Sequence, residues 1–457
     1  MTETPLPHPA PAIDPEQTFT FTFDGTSYPA HPGDTIGSAL ARAGVRTLSR
    51  SFKYHRPRGL FCVSGHCPNC LVQVGAEPNV RACRRPVEPG MAVRSQNAWP
   101  SLDHDLMSLT ERAARFLPVG FYYKTFTRPQ ALWPLYEKVL RNAAGLGRVD
   151  PETGPAAYQK QYLHAGVAVV GAGPAGLSAA TAAAELGARV LLFDENAQTG
   201  GHLRYTGSGD QGSGMDSLSS DPRSLIPDPS RYTNITIYHD TTVLGYYEDN
   251  WLGAVRGNTL FKIRAGSVVV ATGAIEQPLI FSNNDLPGVM LGSGVQRLLH
   301  LYGVLPGREA VVVSANDQGW QVAAGLHAAG VTVRAVVEQR PQVDTPQAQA
   351  IEAAGIPIYW GSTIQAATGR GRVEGARVAP VDAAGQLSTG AATTIPCDLI
   401  AVSVGWAPAN ALLYEAGAKI VYDDRLHEFL PQTLPPGIYA AGRVTGPGNL
   451  ARELAAG

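Results

Sequence analysis

The stretch Val167–Glu195, VAVVGAGPAGLSAATAAAELGARVLLFDE, leaves the chain few ways to fold. An apolar run, Val167–Val170, enters Gly171, Gly173 and Gly176 at G-x-G-x-x-G spacing. An Ala-rich segment follows, then a second apolar run, Val190–Phe193, closed by Asp194 and Glu195. The pattern reads as strand, tight turn, helix, strand. Gly171 permits the turn, Gly173 lets a pyrophosphate approach the backbone, and Gly176 lets the helix pack on the strand. Pro174 and Ala175 fall at the helix start, where unpaired N–H groups and the positive dipole end attract a phosphate. Asp194 lies about 20 residues on, where an acid accepts from a ribose hydroxyl, and Glu195 stands beside it. The alternative is a glycine-rich turn without a ligand. Two strands, a helix and an acid in one register favour the dinucleotide fold.

A chain of 457 residues has room for about three domains. The formal net charge of −2 gives no pull toward nucleic acid or an anionic membrane. No apolar run approaches the roughly 20 residues of a membrane span. The first residues, MTETPLPHPAPAIDPEQ, are polar and Pro-rich and lack a basic stretch followed by an apolar core. They read as a disordered arm rather than a secretory signal, and the cytoplasm is the expected compartment.

Four of the five cysteines lie between Cys62 and Cys83. Cys62, Cys67, Cys70 and Cys83 form C-x4-C-x2-C-x12-C, the plant-type [2Fe–2S] spacing. Three thiolates come from one loop and the fourth from a separate segment. Ser64 and Gly65 let that loop turn its N–H groups inward. A structural zinc site is the rival, but zinc ribbons carry two C-x2-C pairs and this stretch has one. Around the loop, Thr18–Phe23 and Ser27–Ala30 read as a hairpin. Ile36–Ala43 reads as a helix capped by Asp34 and ended by Gly44, with further strands at Leu71–Val74 and Met91–Arg94. These elements suit a β-grasp ferredoxin-like domain. The basic loop Ser49–Gly59, with Arg50, Lys53, His55, Arg56 and Arg58, reads either as a solvated loop or as one facing a phosphate or the cluster.

Residues 99–160 read as an aromatic, helical connector, with helical stretches at Leu102–Ala114 and Leu132–Ala143. Its Phe116, Phe121, Tyr122, Tyr123, Phe126, Trp133 and Tyr136 suit packing better than a cofactor box. Beyond the first fold, Gly200 and Gly201 suit a tight turn near the dinucleotide, and Thr206–Asn234 is a loose Gly/Ser/Asp stretch. Ala271, Thr272 and Gly273 end a strand that runs beside the nucleotide. A second strand–helix–strand begins at Ala310, but its turn, Ser314–Gly319, lacks the first two glycines and carries Asp317. Gly437–Gly442 is a final strand of the first fold, followed by Arg443. The segment Asn449–Ala456 is short for a closing helix, so either this chain is cut or the natural one continues past Gly457.

The stretches SFKYHRPRG (51–59), VGFYYKTF (119–126), TTVLGYYEDN (241–250), ATGAIEQP (271–278) and NNDLPGVML (283–291) together resemble the α subunit of heterotetrameric sarcosine oxidase and its opine, proline, hydroxyproline and N-methylglutamate dehydrogenase relatives. The resemblance runs from about Thr18 to the end. It implies an α/β chain: two dinucleotide-binding domains in a glutathione-reductase-like arrangement, preceded by the β-grasp [2Fe–2S] domain. The expected boundaries are 1–17 for the arm, 18–98 for the cluster domain and 99–160 for the connector. The first nucleotide domain takes 161–295 with 400–457, and a second, inserted one takes 296–399.

The resemblance also implies FAD or NAD on Gly171, Gly173, Gly176 and Asp194. It implies FMN at the interface with a β subunit that oxidises the amine on its own flavin, small additional subunits, and hence a hetero-oligomer. Sarcosine oxidase lacks the cluster cysteines that this chain carries, so the resemblance is to the [2Fe–2S] dehydrogenase branch. Family α chains often run on into a folate-binding half, absent from this sequence. Related folds place an Asp after the final strand where this chain has Arg443, which cannot accept from a ribityl hydroxyl but can pair with a phosphate. The expected function is an electron-transfer and cofactor-binding subunit of an amine dehydrogenase or oxidase. The alternatives are a free-standing FAD/[2Fe–2S] NAD(P)H oxidoreductase and a structural scaffold holding a relic nucleotide.

Overall fold

A computed structural model describes residues 12–112, 120, 128–144, 147, 152, 157–206, 227–382 and 385–457. Most of the expected arm, five aromatics of the connector (Phe116, Phe121, Tyr122, Tyr123 and Phe126) and most of the loose stretch 206–234 lie outside them. Two compact units emerge, Met1–Thr153 with Pro278–Val404, and Gly154–Gln277 with Gly405–Gly457.

In the first unit the strand Phe19–Phe23 pairs antiparallel with Thr26–Ala30 and parallel with Ala92–Ser95, which continues to Leu71–Val74 and Glu77–Arg81. A parallel contact between the first and last strands requires a crossover, and the helix Ile36–Arg42 lies in it. The helix is capped by Thr35, not by the expected Asp34. Thr35 Oγ1 accepts from Ser38 N, and Ser38 Oγ accepts from Thr35 N. Asp34 is buried and accepts instead from His31 N and Ser38 Oγ while pairing with Arg42. A short side chain one residue nearer the helix reaches its N–H groups better, which frees Asp34 for a charge partner.

The inserted fold follows in the same unit. Its parallel sheet runs Val289–Leu291, Leu399–Ser403, Glu309–Ser314, Thr332–Glu338 and Ile358–Tyr359. Val289–Leu291 pairs with Ile400–Val402. Residues 278–295 and 400–404 therefore belong with this fold, and the boundaries lie at 277/278 and 404/405 rather than at 295 and 400. One continuous core joins it to the cluster domain, from Phe21, Ile36, Leu40 and Val72 to Val295, Leu298, Trp320 and Val336. The basic loop Ser49–Gly59 docks here through its arginines. Arg56 and Arg58 pair with Asp285, Arg56 also reaches Asn283, and Arg50 donates to the carbonyls of His55 and Leu102. Two of the stretches that carry the resemblance thus meet each other.

The connector is less helical than expected in its first part. Asp105 starts a short 3₁₀ helix, Leu106–Glu111, by accepting from Met107 N, and also takes Trp99 N and His55 Nδ1. Those competing bonds hold the segment onto the loop. Further on, the helix Trp133–Ala144 leaves Leu135 and Val139 exposed, while Trp133 and Tyr136 are half-buried.

In the second unit Gln159–Val170 runs parallel between Val190–Phe193 and Thr259–Val270, with Ile235–Tyr238 beyond. Ile438–Ala440 pairs with Val268–Val270 and closes the nucleotide sheet. The helix Pro174–Glu185 crosses its face, packing Leu177 and Ala180 on Val169 and Leu192. The helix Leu450–Ala456 packs along it, with Ser178 Oγ donating to the Leu454 carbonyl. No helix among the described residues is long and apolar enough to cross a membrane.

Replacing Thr35 with Ala removes the side-chain half of the capping box, the Oγ1 that accepts from Ser38 N, and leaves the backbone N–H of position 35 donating to Ser38 Oγ. The expected loss is about 1 kcal/mol of stability, read as a lower urea midpoint with unchanged slope.

Candidate functional site

Two groups of side chains carry chemistry, one in each unit. The first is the thiol group. The hairpin of Leu71–Val74 with Glu77–Arg81 brings the residues at its open end together, and Ala82 N donates to the Cys70 carbonyl at 2.9 Å. Cys70 and Cys83 therefore face each other. Cys62 and Cys67 arrive on the preceding loop, which turns through left-handed conformations at Val63 (φ 51°) and Gly65 (φ 83°). Ser64 N points at Cys62 Sγ at 3.5 Å, an inward N–H of the kind the loop sequence predicts. Cys62, Cys70 and Cys83 are buried and Cys67 is half-buried, all as free thiols.

The four thiols interact in a chain, Cys67 with Cys62, Cys62 with Cys83 and Cys83 with Cys70. A hydrogen bond from Cys67, then one from Cys83, pulls the Cys62 thiol down, and the same bond pushes Cys67 up. Cys70 is likewise held down by Cys83, whose own thiol is pushed up by Cys62 and Cys70. Among the described residues no three His, Cys, Asp or Glu side chains gather round one point as a single ion requires. Four thiols gathered in this way suit a centre of two irons with two thiolates on each. The donor set fits a [2Fe–2S] cluster. Cys397, the fifth cysteine, stands apart, its thiol pushed up to about 12 chiefly by burial, then by Asp398.

The second group is the glycine cradle. Gly171 has φ 103°, and a Cβ there would lie 2.3 Å from the Ala271 carbonyl oxygen. A Cβ on Gly176 would lie 1.8 Å from the Gly171 carbonyl oxygen. Both glycines are demanded by the fold itself. Gly173 differs, because a Cβ there would meet only the Gly201 Cα at 3.8 Å, and otherwise open space. Gly173 is the helix N-cap, no side chain caps the helix, and Pro174 opens it. Ala175 lies under Gly442, whose Cβ would come within 2.7 Å of it. Gly200 (φ 110°) and Gly201 (φ 55°) carry the chain past Gly173. Ala271, Thr272 and Gly273 are fixed from the far side by Ala409, which accepts from Thr272 Oγ1 and donates to the Gly273 carbonyl. Uncapped N–H groups beside an open glycine are what a pyrophosphate needs.

The two acids are placed differently. Asp194 is buried, and both its carboxylate oxygens are taken: Oδ2 by Ala172 N at 2.7 Å, and Oδ1 by Asn196 N and Nδ2. It clamps the phosphate turn to the end of the second strand and has little capacity left for a ribose. Glu195, the next residue, is exposed. Arg443, in the turn Gly442–Thr445, is half-buried with its guanidinium 5.7 Å over the Trp406 ring. Burial pushes the nearby Glu428 carboxyl up, and Arg443 pulls it the other way. No sequence motif links Trp406, Glu428 and Arg443. The strand Trp406–Pro408 packs against the strand Glu428–Thr433 and the turn Gly442–Thr445, which brings the three together.

Comparison with known proteins agrees with this division. Residues 16–98 match the 2Fe-2S iron-sulfur cluster binding domain family, and residues 165–455 match the pyridine nucleotide-disulphide oxidoreductase family. The alpha subunit of sarcosine oxidase from Rhizobium meliloti is 37% identical over 97% of this chain and 45% of its own length. A subunit of opine oxidase from Rhizobium meliloti is 28% identical over 61% of this chain and 58% of its own. The chain thus spans less than half the length of the sarcosine oxidase subunits it matches. Among solved structures, L-proline dehydrogenase from P. horikoshii superposes with a TM-score of 0.65 at 20% identity, covering 96% of this chain and 71% of that one. Thioredoxin reductase from T. acidophilum does so at 0.50 and 21% identity, over 64% and 94%. Both likenesses are of fold.

Gly173→Ala and Gly176→Ala separate binding from folding. Gly173→Ala is expected to fold normally, by circular dichroism, and to lose dinucleotide in extracts of the purified chain. Gly176→Ala is expected to lower yield and thermal midpoint, because the added carbon meets the backbone.

Proposed function

The chain belongs to the pyridine nucleotide-disulphide oxidoreductase family, with a 2Fe-2S cluster binding domain ahead of it, and from this we propose that it is the electron-transfer and cofactor-binding component of an amine dehydrogenase or oxidase built of several different chains. The observation that carries the reading is the joint presence of four cluster thiols and an open, uncapped dinucleotide cradle in one chain. Relatives named as oxidase subunits support the assembly with partners.

In this reading the substrate is a secondary amine, N-methyl amino acid or opine. It loses two electrons and a proton, as hydride from the carbon beside nitrogen, on a partner β subunit. This chain holds the groups that carry the electrons away. Cys62 and Cys67 hold one iron, and Cys70 and Cys83 the other. When bound, such a cluster accepts and releases one electron at a time. The N–H groups of Ala175 and Gly176 receive the pyrophosphate of FAD or NAD, Gly173, Gly200 and Gly201 make room for it, and Glu195 rather than Asp194 meets the ribose. Arg443 meets the phosphate of an FMN at the partner interface, with the Trp406 ring setting its direction. Small additional subunits complete a cytoplasmic hetero-oligomer.

The test is anoxic co-purification with the partner, followed by metal, sulfide and flavin analysis. About two iron and two sulfide per chain are expected, with the visible bands bleached in Cys70→Ser. One zinc without acid-labile sulfide would overturn the cluster assignment. Arg443→Ala is expected to lower FMN retention after dialysis roughly ten- to a hundredfold, the equivalent of one charge-assisted bond. Stoichiometric FMN in that variant would remove Arg443 from the site.

A further inference from the structure

The family implies a second nucleotide, a pyridine dinucleotide on the inserted fold, and the residues there do not fit one. We propose that the inserted fold takes no pyridine dinucleotide and serves instead as the seat of the cluster loop. The second half rests on the cluster reading above.

The inserted fold repeats the first: strand Glu309–Ser314, helix Asp317–Ala328, strand Thr332–Glu338, with both strands parallel. Laid on Gly171–Gly176, its turn reads Ser314, Ala315, Asn316, Asp317, Gln318, Gly319. Only the third glycine remains. A Cβ on Gly319 would lie 2.3 Å from Ser314 Oγ, so that position is still tightly packed. Asn316 stands where Gly173 leaves open space. Its Oδ1 accepts from Gln318 N at 3.1 Å and Gly319 N at 3.2 Å, and from Ser403 Oγ at 3.3 Å. Two N–H donors require an acceptor, which settles the orientation of the amide. The N–H groups that would hold a phosphate are therefore already bonded inside the chain, and the space before them is filled. Asp317 adds a carboxylate at the same helix start, paired with Arg340 at 2.8 Å.

The ribose position is closed as well. Glu338 ends the second strand, where an acid would accept from the sugar. It is fully buried. Its Oε2 accepts from Trp320 Nε1 at 2.8 Å and Arg340 Nη2 at 3.0 Å, and its Oε1 from Arg340 N and Nε at 3.0 Å. Four donors occupy the carboxylate and none is left for a hydroxyl. The phosphate turn and the acid fail independently, the first by an internal cap and the second by an internal ion pair.

What the fold does contact is the cluster loop. Leu291 N donates to the Phe61 carbonyl at 3.0 Å. In the helix Gly292–Tyr302, a Cβ on Gly294 would lie 2.7 Å from the Phe61 oxygen and 3.1 Å from that of Cys62. Only glycine lets the helix come so near a thiol ligand. Asp285 holds Arg56 and Arg58, a few residues before Cys62. The apolar core runs unbroken from Val63, Cys70 and Cys83 to Val295, Leu298 and Trp320.

The test uses the full chain, cluster reconstituted, with the first cradle blocked by Gly173→Ala. Equilibrium dialysis against labelled NADH and NADPH is expected to show no saturable binding. Anoxic mixing with either is expected to leave the visible bands unbleached. Saturable binding that Asn316→Leu abolishes would overturn the first half. For the seat, Gly294→Val in the otherwise unaltered chain is expected to lower bound iron and sulfide severalfold while the first-fold nucleotide is kept. Asp285→Asn adds no bulk, covers the event that Gly294→Val does not fold, and is expected to change the visible circular dichroism and the EPR g values of the reduced centre. Unchanged content and spectra in Asp285→Asn overturn the seat. A parent chain that takes up no cluster at all would instead overturn the proposed function, so the two failures are distinguishable.

Discussion

The first N–H groups of a helix have no partner inside it, and something must meet them. This chain answers that need in opposite ways on two copies of one supersecondary unit. At Pro174–Glu185 no side chain caps the helix, and the glycine before it leaves room. At Asp317–Ala328 the Asn316 amide caps the helix and fills the same space. A desolvated N–H must find an acceptor at either site. A ligand phosphate suits the first and an internal carbonyl already serves at the second. Much else follows from that difference, including which fold is free for a nucleotide and which is free to become support.

The support is visible in how the inserted fold is joined to the cluster domain. A loop that wraps a metal centre has few backbone hydrogen bonds of its own and must be held from outside. Here it is held by a backbone bond from Leu291, by Asp285 on two arginines, and by a glycine that lets a helix touch the carbonyl of a ligand residue. Supporting groups that fix the ligands in place commonly matter nearly as much as the ligands. Cys70 and Cys83 face each other because they flank the open end of a two-stranded hairpin.

Much of this was legible in the residues in order. Glycine spacing between two apolar runs announces a strand, turn and helix because each constraint acts over a few positions. The cysteine spacing is local in the same sense, and both regions fold as the spacing predicts. The helix cap shows the limit of such reading. Asp34 and Thr35 are both good caps, and the choice between them turned on Arg42 and His31, which offered Asp34 something better. The connector shows it again: Asp105 spends its oxygens on Trp99, Met107 and His55, and an expected helix shortens to a 3₁₀ turn.

The sequence by itself determined where the chain turns, where it is helical, and which residues have the chemistry for a cluster and a dinucleotide, since these depend on backbone preferences and on neighbours close along the chain. Only the tertiary structure decided what each charged or polar side chain does. Arg58 meets Asp285, 227 positions further along the chain. Asp194 clamps the phosphate turn with both its carboxylate oxygens. Residues 278–295 join the inserted sheet because Val289–Leu291 finds its register on a strand more than a hundred positions on. A side chain's partner is set by which segments the fold brings within about 3 Å of it, and nothing in the local order of residues carries that distance.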